Sequence, residues 1–148
     1  MLECVREILL IILAFLQIEE TPIMYIEIPK INVKEEIYEK TSIENDINRH
    51  VIIMKESSYP NENRNVIIGA HSGTGPLAYF KDLDKVSIGD QIIINYKNTK
   101  YVYVVKNIHK DDKNGKIIIR DYDNSITLFT CYPNDKNNYL IVTGSLQV

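Results

Sequence analysis

Ser125-Ile126-Thr127-Leu128-Phe129-Thr130-Cys131-Tyr132-Pro133-Asn134-Asp135 carries the pattern on which the reading of this chain turns. An apolar run of β-branched and aromatic residues ends in a cysteine, and a proline-asparagine-aspartate turn follows at once. The run reads as a strand, so Cys131 stands at a strand end beside a loop, where a substrate can reach it. Sixty residues upstream the same arrangement recurs with a histidine: Val66-Ile67-Ile68-Gly69-Ala70-His71, then Ser72-Gly73-Thr74-Gly75-Pro76. A buried strand that stops at a glycine-rich loop is a common setting for chemistry. Each residue also has an ordinary reading. Free cysteines are usually small buried hydrophobes, and a loop histidine is usually solvated. Taken together they fit a thiol nucleophile and its proton-transfer partner, which need meet only in the fold.

The segments around these two runs are mostly β. Met24–Ile28, Val33–Tyr38 and Val51–Met54 are short β-branched runs, with Pro29 at a turn position. Gln91–Tyr96 and Lys100–Lys106 alternate around Lys97–Thr99 as a hairpin, and Lys116–Ile119, Ser125–Cys131 and Tyr139–Leu146 complete the strands. Thr41-Ser42 before Glu44 predicts a short helix over 43–49. Leu77, Phe80, Leu83 and Val86 behind Pro76 predict another over 77–85. Lys55–Asn65 and His109–Gly115 read as loops. About eight strands without strand–helix alternation favour a closed or nearly closed, antiparallel-rich barrel, which removes exposed edges.

Residues 1–20 differ from the rest. Ile8 to Leu16 is an unbroken apolar run between Arg6-Glu7 and Glu19-Glu20, and Pro22 closes the helix it predicts. A spanning helix needs about 20 apolar residues. Two expectations therefore stand equally: a shortened anchor giving membrane contact through 1–20, or an amphipathic or packing helix. The domain division is 1–20 for this helix and 21–148 for the body.

The whole chain has 148 residues, 17 basic and 20 acidic, with net charge −3, which argues against a nucleic-acid partner. Apolar residues at 45% and charged residues at 25% fit a folded domain rather than a disordered chain. Two cysteines exclude a disulfide scaffold and a four-cysteine zinc site, and no EF-hand spacing accompanies Asp111-Asp112 or Asp121 and Asp123. No metal and no cofactor is called for. His50 follows Arg49 and reads as structural, and His109 sits among charged residues and reads as solvated.

The motifs resemble one family. Thr127-Leu128-Phe129-Thr130-Cys131 is similar to the TLxTC motif of sortases, the cysteine transpeptidases of Gram-positive cell surfaces. Gly69-Ala70-His71 resembles the strand end that carries the sortase histidine. Ile26-Glu27-Ile28-Pro29-Lys30-Ile31 looks like the family's opening strand, and Tyr79-Phe80-Lys81-Asp82-Leu83-Asp84-Lys85 before Gly89-Asp90 resembles the segment after that histidine. The likeness runs over about 24–148. It implies a mainly β fold, the closed eight-stranded sortase barrel with two or three short helices and the N-terminal helix. It implies that Cys131 attacks the carbonyl after the threonine of an LPxTG-like sorting signal and that His71 protonates the departing amine. The acyl group then passes to a peptidoglycan precursor or a pilin lysine, at the outer face of the membrane of a Gram-positive bacterium.

One position departs from the resemblance. Sortases start the strand after the cysteine with an arginine that stabilises the oxyanion or positions substrate; aligning Tyr139-Leu140-Ile141-Val142-Thr143-Gly144 with that strand puts Tyr139 there. All four arginines (Arg6, Arg49, Arg64, Arg120) precede Cys131. Losing one oxyanion donor costs about 2.7–4 kcal/mol. Tyr139, Asn138 and Arg120 are the candidates for the third residue, with Asn137 and Lys136 behind them. The alternative function is a weak or inactive sortase-fold protein that binds peptide without turnover; a further one is hydrolysis, with water as acceptor.

Overall fold

Short β-branched runs punctuated by turn residues form eight strands in the computed structural model, which describes residues 1–16, 19–114 and 122–147, with the side chains of 13–16 and Lys136 left aside. They are β1 (Met24–Ile28), β2 (Val33–Ile37), β3 (Ile52–Ile53), β4 (Asn65–Gly69), β5 (Gln91–Tyr96), β6 (Thr99–Asp112), β7 (Ser125–Tyr132) and β8 (Asp135–Leu146). All belong to one sheet in the order β2-β1-β5-β6-β8-β7-β4-β3, which curls into a nearly closed barrel. Its pairings are antiparallel except β4 with β7, which run parallel.

Alternation along the strands fills the interior. Met24, Ile26 and Ile28, Ile92, Ile94 and Tyr96, Val66 and Ile68, Ile126 and Leu128, and Leu140 and Val142 all face one apolar core. Each large apolar side chain buried this way contributes about 1.5–3 kcal/mol. The same alternation sends Gly69, Phe129 and Cys131 to the outer face of the barrel wall.

The N-terminal helix α1 (Leu2–Leu16) forms as expected. Leu2, Val5, Ile8, Leu9 and Ile11 remain more than half exposed, so these apolar side chains stay largely in solvent. Among the described residues no helix is long and apolar enough to cross a membrane.

Three local expectations change. No helix covers 43–49; the segment is a run of turns. Ser42 Oγ accepts from the Glu44 N–H at 2.9 Å and Asp46 Oδ1 from the Asn48 N–H at 2.9 Å, so short polar side chains take the amides that a helix would need. Asn45 Oδ1 accepts from the Ile53 N–H and its Nδ2 donates to the Ile53 carbonyl, both at 3.0 Å, so this side chain acts as one more strand beside β3. Of the apolar positions expected to line a helix over 77–85, Phe80, Leu83 and the following Val86 are buried and Leu77 is exposed, and the segment winds as turns and a 3₁₀ turn over Leu83–Lys85. The Phe80 N–H donates to the His71 carbonyl at 3.0 Å and Leu83 N–H to the Phe80 carbonyl at 3.1 Å, which fixes the tighter winding. Finally, His109–Asp112 is strand, not loop. Its residues pair with Ile141, Leu140, Tyr139 and Asn138 of β8, so the ladder satisfies their backbone while His109 and Lys110 stay exposed. The strand expected over Lys116–Ile119 lies outside the described residues.

Asn45→Ala removes both bonds to Ile53, whose residue is buried. The expected loss is about 1–3 kcal/mol, read as a lower urea midpoint with an unchanged slope.

Candidate active site

The parallel ladder pairs Asn65 to Gly69 of β4 with Ser125 to Phe129 of β7, residue for residue. Two steps beyond the last pair stand His71 and Cys131. The strands stay side by side that far, because Thr130 Oγ1 donates to the Ala70 carbonyl at 2.7 Å and the Ala70 N–H donates to the Phe129 carbonyl at 3.4 Å. Neighbouring strands lie about 4.8 Å apart, so His71 and Cys131 follow the paired ladder at one rim of the barrel. Phe129 is the last residue of β7 paired with β4. Its ring lies over Gly69 so closely that a Cβ there would meet Phe129 Cζ at 2.3 Å, and this contact is what requires glycine in Gly69-Ala70-His71.

His71 is half-buried and held from the side. Its Nε2 lies 3.3 Å from Asn48 Oδ1. An amide oxygen only accepts, so this contact keeps the proton on Nε2 and turns Nδ1 to proton exchange. The loop that carries Asn48 is itself braced: Tyr79 Oη donates to the Arg49 carbonyl at 3.0 Å, and Glu44 takes Arg49 at 2.8 Å and His50 Nε2 at 3.2 Å. Burial pushes the Tyr79 hydroxyl up, with Glu35 adding to it, so the donor keeps its proton. His50 therefore has the structural place expected of it, beside the Tyr38 ring at 4.7 Å, and His109 is exposed.

Cys131 is a free, half-buried thiol; Cys4, the other cysteine, is exposed on α1. Across the β7–β8 hairpin Cys131 pairs with Tyr139, but the next residue, Tyr132, pairs with Asp135. Lys136, Asn137 and Asn138 thus bulge away from β7. The bulge turns them toward β6, where Asn138 pairs with Asp112 and the Lys113 N–H donates to the Asn137 carbonyl at 2.9 Å. One consequence was not legible in the sequence: Lys113 Nζ donates to Cys131 Sγ at 3.2 Å and lies 4.9 Å from the centre of the Tyr139 ring. That ring meets Phe129 edge-on, 6.5 Å between centres and 87° between planes. The sequence offers Arg120 upstream of Cys131 and Lys136 downstream of it as cations, and neither pattern points to Lys113. The signal that finds Lys113 is the pairing of the end of β6 with the start of β8.

The three residues considered for the missing arginine separate clearly. Tyr139 stands opposite Cys131. Asn138 Nδ2 donates to Asp135 Oδ2 at 2.8 Å, so its amide serves the hairpin. Arg120 lies outside the described residues. Among the described residues no cluster of three or more histidine, cysteine, aspartate or glutamate side chains is arranged to hold a metal ion.

A barrel that ends two neighbouring parallel strands in a histidine and a cysteine defines a class, that of β-barrel proteins with a thiol–imidazole pair at the rim. The sortase domain model matches residues 26–147, and the chain belongs to the sortase family. Sortase D of Bacillus subtilis (strain 168) is 31% identical over 110 residues, 73% of this chain and 53% of that protein, so the chain spans about half that relative's length. Among solved structures, sortase C1 from Streptococcus agalactiae superposes with a TM-score of 0.76 at 28% identity, over 90% of this chain and 72% of that one. Sortase C from Streptococcus pneumoniae, described with pilin substrate specificity, gives 0.77 at 26% identity over 88% and 68%.

Two outcomes test this geometry. Gly69→Ala forces the Phe129 ring off its seat, at a cost of about 1–3 kcal/mol, read as a lower melting temperature and as loss of the Phe129–Tyr139 ring contact in NMR. Asp135 opens β8, and its carboxyl is held down to about 2 by the hydrogen bond from Lys110, then by Asn138 and the Asn137 N–H. A carboxyl lowered on folding stabilises the fold above its unfolded range of about 4. That contribution fades as pH falls from there through about 2. An NMR titration of Asp135 reads a midpoint near 2, and Lys110→Ala moves it upward.

Proposed function

We propose that this protein is a sortase-type cysteine transpeptidase. The observation that supports the reading is the β4–β7 register, whose last pair, Gly69 with Phe129, lies two residues before His71 on one strand and Cys131 on the other. The Cys131 thiol passes its proton to His71, and the sulfur attacks the carbonyl carbon after the threonine of an LPxTG-like sorting signal. An S–C bond forms and the carbonyl π pair moves to oxygen. When that pair returns, the C–N bond breaks and the departing amine takes the proton from His71. The resulting thioester is the acyl-enzyme. An acceptor amine then gives a proton to His71, attacks the same carbon, and frees the thiol. Dividing the amide exchange into two steps lowers each barrier.

The family match over 26–147 supports this activity. The acceptor is an amine of a peptidoglycan precursor or a pilin lysine; the likeness to the pneumococcal sortase C, a protein described with pilin substrates, favours looking at the lysine first. The site of action is the outer face of the membrane of a Gram-positive bacterium. The exposed apolar side chains of α1 are compatible with its contact with that surface.

Mass spectrometry of the protein incubated with an LPxTG-type peptide and a lysine-containing acceptor provides the test. The parent gains the mass of the acyl fragment and releases ligated product; Cys131→Ala gains none, and His71→Ala slows product formation about 10²–10⁴-fold. Product as free acid alone identifies water as the acceptor. Peptide binding with no acyl-enzyme at any time overturns the enzyme reading in favour of a binding protein.

A further inference from the structure

We propose that Lys113 supplies the cation of this active site, donating first to Cys131 Sγ and then to the oxygen that becomes negative when the sulfur attacks. The inference rests on the reading of Cys131 as nucleophile. Three independent placements support it. The ammonium lies 3.2 Å from the reacting sulfur. Its backbone is pinned, since the Lys113 N–H donates to the Asn137 carbonyl at 2.9 Å in the bulge opposite Cys131. The charge is seated on an aromatic face, 4.9 Å from the centre of the Tyr139 ring, the residue that occupies the arginine position of the family. Tyr139 in this arrangement does not replace the arginine; it holds the lysine that does.

Among the described residues, the nearby acidic side chains have partners other than the Lys113 ammonium. Asp111 Oδ1 accepts from the Asp112 N–H at 3.0 Å, and Asp112 Oδ1 accepts from the Asn114 N–H at 2.8 Å, so both carboxylates hold the turn that carries Lys113. Asp135 binds Lys110 of β6, three residues before Lys113, at 2.7 Å. Lysine suits the task by its chemistry. An ammonium on a four-carbon stem has three donors and no fixed plane, so it can swing from sulfur to oxygen within one step. As the S–C bond forms, the sulfur loses charge and the carbonyl oxygen gains it, and the N–H bond follows the charge. When the C–N bond breaks, the electron pair returns to the carbonyl. Lys113 keeps its protons throughout; the proton to the leaving amine comes from His71.

A pair of reagents tests the sulfur contact without any peptide. Iodoacetate is an anion and iodoacetamide is neutral, and they alkylate the same thiol. In a Cys4→Ala background, where Cys131 is the one remaining thiol, the ratio of their rates reports a cation at the sulfur. Lys113→Gln lowers that ratio about fivefold and Lys113→Arg retains it, whereas a merely structural lysine leaves it unmoved. With the LPxTG-type peptide, Lys113→Gln lowers kcat for acyl-enzyme formation about 10²–10³-fold with little change in KM, and Lys113→Arg restores most of it. An unchanged ratio in Lys113→Gln overturns the inference whatever the peptide does. A changed ratio with acylation at the parent rate overturns the oxyanion role. A changed ratio in a protein whose parent form never acylates the peptide supports the cation at Cys131 and overturns the proposed substrate instead.

Discussion

The parallel pairing of β4 with β7 is the constraint from which the site follows. Every other pairing in the sheet is antiparallel, and antiparallel neighbours joined by a hairpin bring the end of one strand to the start of the next. Two strands that end at the same rim must run in the same direction. Their parallel partnership requires the chain to leave β4, build β5 and β6, and return, which is why His71 and Cys131, 60 residues apart in sequence, follow the ends of two neighbouring strands. Thr130 reinforces the contact at its most critical point, one residue before the cysteine, through a buried hydrogen bond to Ala70.

What was legible in the sequence has period two. Met24–Ile28 and Gln91–Tyr96 fall where the alternation puts them, and the strand ends at His71 and Cys131 follow from where the apolar runs stop. The misread segments are those whose local pattern fits two structures. The spacing of Leu77, Phe80 and Leu83 serves a helix and a series of turns equally, and the bond from Phe80 back to His71 decided for turns. Asn45 and Asp46 direct their side chains at backbone groups, so Ser42-to-His50 had the composition of a helix start without continuing into one. His109–Asp112 is charged along its length, and only its partner in β8 makes it a strand. A ladder partner is a long-range fact that no window of sequence contains.

The same reasoning explains why the sequence pointed to Tyr139, Asn138 and Arg120 for the missing arginine and not to Lys113. The bulge between Cys131 and Tyr132 releases Asn137 and Asn138 from β7 and lets β6 take them. That exchange of partners draws the end of β6 to the cysteine. A side chain adjacent to Tyr139 in space is thus 26 positions away in the chain.

The contacts then form a line across the outer wall, from β4 to the end of β6. Gly69 is bare because the Phe129 ring lies on it. Phe129 lies there with its ring set edge-on to Tyr139, and Tyr139 carries the ammonium of Lys113, which reaches Cys131. An arginine at position 139 needs neither the ring partner nor the lysine, since it carries the charge itself. A tyrosine there makes sense only with both: the phenylalanine to orient the ring and the cation to occupy it. Glycine at 69, phenylalanine at 129, tyrosine at 139 and lysine at 113 therefore form one steric and electrostatic unit. In the proposed role of Lys113 the site depends on that unit as a whole, because the contacts that seat the ammonium beside the sulfur run through each inner member.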